Sequence, residues 1–453
     1  MLKTVGDTIT PIAIAVQTIH WNKLEQAGKL AMNLRSNLSL SAFGPGILVA
    51  ATGVGAGDLA TATFSGAALG CGVLWAVIVG AGLKFVLNEG LTRWQLATGS
   101  TLIEGVARHV WQPAQWAFML YLVVWSYLVA MALMSACGVA MYAMLPIFEN
   151  ASNGKVVFGS AHSLLAWLLV YFGGYRLFEW VMRICIGLMF VVVCLTAVAL
   201  APPPYELLAG IFIPRIPHWN SGGLGWTIAL LGGVGGTVTV LCYGYWIREE
   251  GRDTLAALPA CRLDLAMGYG MTALFGLAMV VIGNHLGDLG ASGASLIVKI
   301  ADALHSRAGS MGDVARWAFL VGAWGAVFSS LLGVWQSVPY LFSDCWGLLL
   351  GAKNSDSRRE RPIATTATYR WHLVAISLIP ISGLFLFNFS DAMKINGIVG
   401  ALFIPMLAIA LLKLNGNAAL VRIENRNSRW TTALLLATLF VSLVAGAFQL
   451  FRG

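Results

Sequence analysis

Charge is scarce in this chain. Asp, Glu, Lys and Arg make up 11% of its 453 residues, against roughly 25% in soluble domains. With 58% hydrophobic residues and a mean hydropathy of +0.77, most of the chain cannot face water, which excludes a soluble globular domain. Paired cysteines are also missing. Cys71, Cys137, Cys185, Cys194, Cys242, Cys261 and Cys345 are scattered without a CxxC, and no histidine cluster stands at ligand spacing. They read as small packing residues, so neither a disulfide framework nor a metal centre is expected. No P-loop GxxxxGK[ST], GxSxG or HExxH occurs, which argues against an enzyme; no cofactor is expected. The stretch from Met1 to Leu40 has no clean apolar core followed by a small-residue cleavage site, so it reads as a cytoplasmic lead-in rather than a signal peptide.

What is there is a series of long apolar runs. Each span of a roughly 30 Å hydrocarbon core needs about 20 helical residues, and such runs fall near 43–69, 72–96, 115–145, 161–175, 178–201, 223–247, 266–286, 316–343, 369–389, 394–413 and 430–450. Eleven spans put the termini on opposite sides of the membrane. With the N-terminus inside, the cytoplasmic segments collect Lys3, Lys23, Lys29, Arg35, Arg108, Arg176, Arg248, Arg252, Arg262 and the basic runs at 353–370 and 413–429, while the other side keeps few basic residues. The positive-inside rule therefore predicts a multi-pass bacterial inner (plasma) membrane protein with a cytoplasmic N-terminus and an external C-terminus. The net charge of +8 is explained by an anionic leaflet, and the bilayer rather than nucleic acid is the expected partner. A monomer is expected.

Two spans differ from the rest. The first contains Gly53-Val54-Gly55-Ala56-Gly57-Asp58, and the sixth contains Gly232-Gly233-Val234-Gly235-Gly236-Thr237. Glycine costs roughly 1 kcal/mol against alanine inside a helix, so both helices are weakened in mid-span. Isolated glycines in membrane helices commonly serve close packing. Here the clusters occupy corresponding places in two five-helix halves, the sequence pointer to an inverted-repeat transporter with its site at the midplane.

The run from Gly44-Pro45-Gly46 to Leu59-Ala60-Thr61 resembles the first helix of the natural resistance-associated macrophage protein (Nramp) family. Ala97-Thr98-Gly99 with Leu102 and Glu104, Gly174 with Arg176 and Glu179, and Gly322 to Gly333 with Ser329-Ser330 resemble later parts of it, in order, across residues 43–413. The resemblance implies an all-α LeuT-type fold: two inverted five-helix repeats (43–201 and 223–413) with helices 1 and 6 unwound, an eleventh helix in 414–453, and a cytoplasmic segment 1–42. It also implies secondary transport by alternating access. The family's metal ligands are not all present. Its first-helix Asp-Pro-Gly-Asn is replaced by Gly55-Ala56-Gly57-Asp58 and its sixth-helix Met-Pro-His by Thr239-Val240-Leu241. The eighth-helix Gln position is similar to Phe328, and the carbonyl ligand would be that of Gly236. Without soft ligands, an ordinary Mn²⁺ or Fe²⁺ importer is not expected.

Intramembrane ionisable groups are costly and point to function by default. Asp58 is the foremost candidate, with Gly55, Ala56, Gly57, Gly236, Thr237, Thr239, Phe328 and Asn396 completing a substrate site. Lys84, in mid-span, could pair with Asp58 or act as a proton- or ion-coupling group, and Glu89 with Arg93 reads as an ion pair or gate. The expected substrate is a small polar organic solute. A hard divalent cation such as Mg²⁺ is the second reading, and a transport-inactive receptor or sensor is the third.

Overall fold

The computed structural model describes residues 44–111, 113–219, 223–287, 294–350 and 363–452, with side chains for all of these except 56–58, 294, 295, 445 and 447–452. The expected cytoplasmic segment 1–42 lies outside the described residues. Regular structure among the described residues is entirely helical. That is the outcome a hydrocarbon solvent imposes, because each helix satisfies its own backbone donors and acceptors.

The first span is two helices, α1 (Gly44–Gly53) and α2 (Ala56–Leu69), and a 3₁₀ turn at Gly70–Val73 leads into α3 (Leu74–Thr98). A short helix α4 (Leu102–His109) precedes α5 (Ala114–Met144). Next comes α6 (Ala151–Ala199), which bends at Gly174, where φ is 65°. That bend divides the predicted fourth and fifth spans. The short α7 (Pro204–Phe212) leads to the sixth span, made of α8 (Gly223–Gly233), a 3₁₀ stretch Val238–Cys242 and α9 (Tyr243–Glu249). Then follow α10 (Leu258–Leu286), α11 (Ala294–Arg307), α12 (Gly312–Leu349), α13 (Ala367–Leu378), α14 (Ile381–Leu386), α15 (Phe389–Ala401), α16 (Phe403–Leu414) and α17 (Arg429–Arg452).

Eight stretches of the described residues are long and apolar enough to cross a membrane; Ala151–Ala199 takes in the predicted fourth and fifth spans, Leu59–Thr98 joins the end of the first to the second, and Gly44–Gly53 and Arg429–Val444 are shorter apolar helices. Every predicted span thus falls on helix, but some boundaries need correction. The fourth begins at Ala151 rather than near 161, because its polar start is satisfied: Asn150 Oδ1 caps the Ser152 N–H at 2.8 Å, and buried Lys155 donates to the Phe387 carbonyl, distant in the chain, at 2.6 Å. The seventh begins at Leu258, with Pro259 tolerated in the first turn. The short helices α4, α7 and α11 lie between spans and escaped the hydropathy reading.

Lipid supplies no hydrophobic drive between helices, so close approach and hydrogen bonds hold the bundle. Along the α2–α10 contact a methyl group on Gly66 would overlap the Val280 carbonyl, and one on Gly283 would overlap that of Thr63. Only glycine lets these backbones touch. The long α12 packs against α5, α6, α11 and α13 and carries the fully buried Trp335, while α17 lies on α16, α8 and α3.

Candidate functional site

The two weakened helices do break where the glycines cluster. The turn at Val54 and Gly55 separates α1 from α2: the Gly55 N–H turns back to the Gly53 carbonyl at 3.0 Å, and the next regular helical bond starts at Leu59. Gly55 takes the N-cap position with an extended backbone and no side-chain cap. Asp58 therefore lies in the first turn of a helix that begins within the span. The side chains of Ala56 and Asp58 lie outside the described residues, as does any contact of theirs. In the sixth span, α8 ends at Gly233, and Gly235 and Gly236 follow with φ of 85° and 80°. These left-handed values explain two glycines in succession, since other residues are strained there.

The breaks meet. A methyl group on Gly53 would lie 2.9 Å from the Gly235 carbonyl carbon, and one on Gly236 would lie 3.4 Å from the Gly53 Cα. From the other side α12 closes in: Ser329 and Ser330 both place Oγ at the Ala51 carbonyl, at 3.2 and 3.1 Å, and a methyl on Gly55 would be 2.7 Å from Ser330 Oγ. Ala51 stands in the last turn of α1, where helix carbonyls lack backbone donors, so the serine hydroxyls serve the end of the broken helix.

Several predicted residues gather at this junction. Lys84 of α3 is 2% exposed and its Nζ donates to the Gly236 carbonyl. Thr239 is buried, its Oγ1 next to Gly236, and Thr237 packs against Gly400 of α15. One turn before Gly400 on the same helix, Asn396 has its Oδ1 buried without a hydrogen-bond partner. A group with an N–H or O–H would satisfy that acceptor.

Other candidates are placed elsewhere. Phe328 is stacked on Trp324, with centroids 5.3 Å apart and planes 8° apart, and meets His162 edge-on at 5.7 Å. Trp324 Nε1 donates to His162 Nε2 at 2.8 Å, so Phe328 belongs to an aromatic cluster linking α6 and α12. Glu89 and Arg93 form a structural network. Glu89 Oε1 accepts from Arg262 Nη2 at 2.7 Å, and Oε2 from Arg93 Nε at 3.3 Å. Arg93 also donates to the Asn425 carbonyl and Asn427 Oδ1, fastening α3 to the segment before α17.

The sequence reading missed Asp264, Asp344, Gln336 and Tyr340, which form a polar set around α9. Tyr243 donates to Asp264 at 2.9 Å, Tyr245 to Asp344 at 2.8 Å, and Trp246 to Gln336 at 2.7 Å, while Glu249 accepts from Tyr340 at 2.7 Å. Gln95 donates to the Gly244 carbonyl, and Arg248 to that of Gly99. This half-helix is clasped by α3, α10 and α12 together. Asp264 and Asp344 had stood just beyond predicted span ends, where charges are unremarkable. Because α10 starts earlier and α12 runs on to Leu349, both acids lie inside helices and are buried.

Two helices broken opposite one another in a bundle of this topology define a polytopic membrane transporter of the LeuT type. The solved structures it resembles agree on the fold: the manganese transporter of Eremococcus coleocola in complex with an aromatic bis-isothiourea substituted compound aligns with a TM-score of 0.70 at 15% identity, covering 90% of this chain and 86% of that one. MhsT in complex with L-phenylalanine aligns at 0.56 and 16% identity, covering 91% and 98%. The family model described as natural resistance-associated macrophage protein-like matches residues 46–452, so the chain belongs to the Nramp family. The divalent metal cation transporter MntH of Chromohalobacter salexigens is 23% identical over 431 residues, 91% of this chain and 92% of that protein.

Proposed function

We propose that this chain is a secondary transporter of the plasma membrane that works by alternating access and takes a small polar organic solute at the junction of its two broken helices. The observation that carries the reading is the contact of Gly53 with Gly235 and Gly236, two unwound segments that bring backbone amides and carbonyls together inside the bundle. Backbone freed in this way must be satisfied by a ligand, by water or by protein groups. The neutral hydrogen-bonding groups nearby, Thr237, Thr239 and the unpartnered Asn396 Oδ1, suit a solute with several donors and acceptors. Asp58, in the first turn of α2, adds a carboxylate suited to an amine.

A second reading, carriage of a divalent metal cation, is favoured by the relatives of that name. Under it, the Gly236 carbonyl and Asp58 act as ligands in a site of oxygen donors, which suits hard ions.

The deciding experiment uses purified protein reconstituted in proteoliposomes. Polar metabolites and divalent metals are screened first by thermal shift, because a ligand of the folded state raises its stability; hits are then tested for uptake and counterflow. Counterflow of an organic solute, with no saturable Mn²⁺ or Mg²⁺ uptake, is expected. Saturable micromolar uptake of either metal, with no organic hit, would replace the first reading with the second.

A further inference from the structure

The most unusual group at the junction is Lys84. It lies in the middle of α3, with Leu83 and Leu87 buried beside it, and is itself 2% exposed. A lysine so buried inside a membrane span is expensive unless its ammonium meets strong acceptors. One acceptor it meets is the carbonyl of Gly236. That carbonyl is available because the positive φ values of Gly235 and Gly236 turn the chain out of the helix. The approach is built into the packing: at Gly80, one turn before Lys84, a methyl group would lie 2.9 Å from the Leu231 carbonyl oxygen, so α3 is pressed against the end of α8.

An unwound carbonyl in the middle of a membrane is a ready ligand for a cation, and here it is already engaged by one that is covalently part of the protein. We propose that Lys84 is a tethered cation and the specificity-determining residue of the site: its ammonium holds the Gly236 carbonyl and excludes a free divalent ion. Two like charges on one buried carbonyl repel strongly in a poorly polarisable interior. A divalent ion binds here only after the Lys84 side chain has swung away. Substrates are thereby confined to those that do not need the Gly236 carbonyl as a metal ligand. The inference rests on the proposed substrate site at the same junction and names its charge selectivity.

The test compares wild-type protein with Lys84→Met, which keeps the length and apolar stem, and Lys84→Arg, which keeps the charge. Mn²⁺ binding to each purified protein is measured by calorimetry at a single neutral pH. Wild type and Lys84→Arg are expected to bind Mn²⁺ at least tenfold more weakly than Lys84→Met. If Lys84→Met does not fold, Lys84→Gln carries the test. Equal Mn²⁺ affinity in wild type and the neutral variants overturns the proposal. The organic-solute reading fails separately: gain of metal binding in Lys84→Met with no organic counterflow in wild type leaves the tethered cation standing and removes that substrate class.

Discussion

The carboxylate of Asp264 accepts the backbone N–H of Gly46 at 2.9 Å, joining α10 to the first turn of α1. The same Oδ2 accepts from Tyr243 at 2.9 Å and faces Arg252 Nη1 at 3.3 Å. One carboxylate, 1% exposed, therefore ties together the starting half of the first span and the closing half of the sixth, the two pieces beyond the breaks. Steric fit reinforces the bond, because a methyl group on Gly46 would overlap the Asp264 carbonyl and one on Gly268 would overlap that of Gly46.

Asp264→Ala removes at once the carboxylate that Arg252, the Tyr243 hydroxyl and the Gly46 N–H share. Loss of one member of a buried charge pair costs about 3 to 5 kcal/mol. Asp264→Asn keeps an acceptor and should cost less, about 1 to 3 kcal/mol. Thermal melts in detergent should rank wild type above Asp264→Asn above Asp264→Ala. Three coincident melts would show that the contact does not hold these helices together.

Tyr245 and Asp344 supply a second link between α9 and the rest of the bundle, and Thr101 Oγ1 reaches the same Asp344 oxygen at 2.8 Å. Tyr245→Phe removes one hydrogen bond to a buried carboxylate, worth about 1.5 to 3 kcal/mol. A double-mutant cycle with Asp344→Asn should return a coupling of at least about 0.5 kcal/mol. A coupling of zero would mean the two groups act independently.

Asp58 is expected to bind substrate. Asp58→Asn should fold and melt like wild type but lose ligand-induced stabilisation, and adding Lys84→Met should not restore it. If instead each single variant folds poorly and the double variant is rescued, Asp58 and Lys84 are a structural pair, since removing both members of a buried pair is much milder than removing one. Normal transport by Asp58→Asn would leave recognition to the glycine backbone.

The topology follows from the basic residues. In a cysteine-free background, single cysteines at Ser428, exposed before α17, and Ser310, exposed before α12, should label only from the cytoplasm and only from outside, respectively. The reverse pattern would invert the assignment.

Composition and periodicity were enough to read a membrane protein whose eleven spans all fall on helix, because a segment in hydrocarbon must satisfy its backbone alone and its length is set by the bilayer. The breaks at Gly55 and at Gly235-Gly236 were equally legible, since glycine weakens a helix locally whatever surrounds it. The positions of Asp264, Asp344 and Lys155 were not. Each stood near a predicted boundary where a charge attracts no notice, and what buries it is a partner far away in the chain: Gly46, Tyr245 and Phe387. The same holds for the residues at the junction. Local sequence determined that a lysine stands at position 84 inside a membrane span and that Gly236 is a residue free to turn. Only the packing of α3 against the end of α8 decided that the ammonium of one would meet the carbonyl of the other, because hydrogen-bond pairing between distant segments depends on helix approach in space.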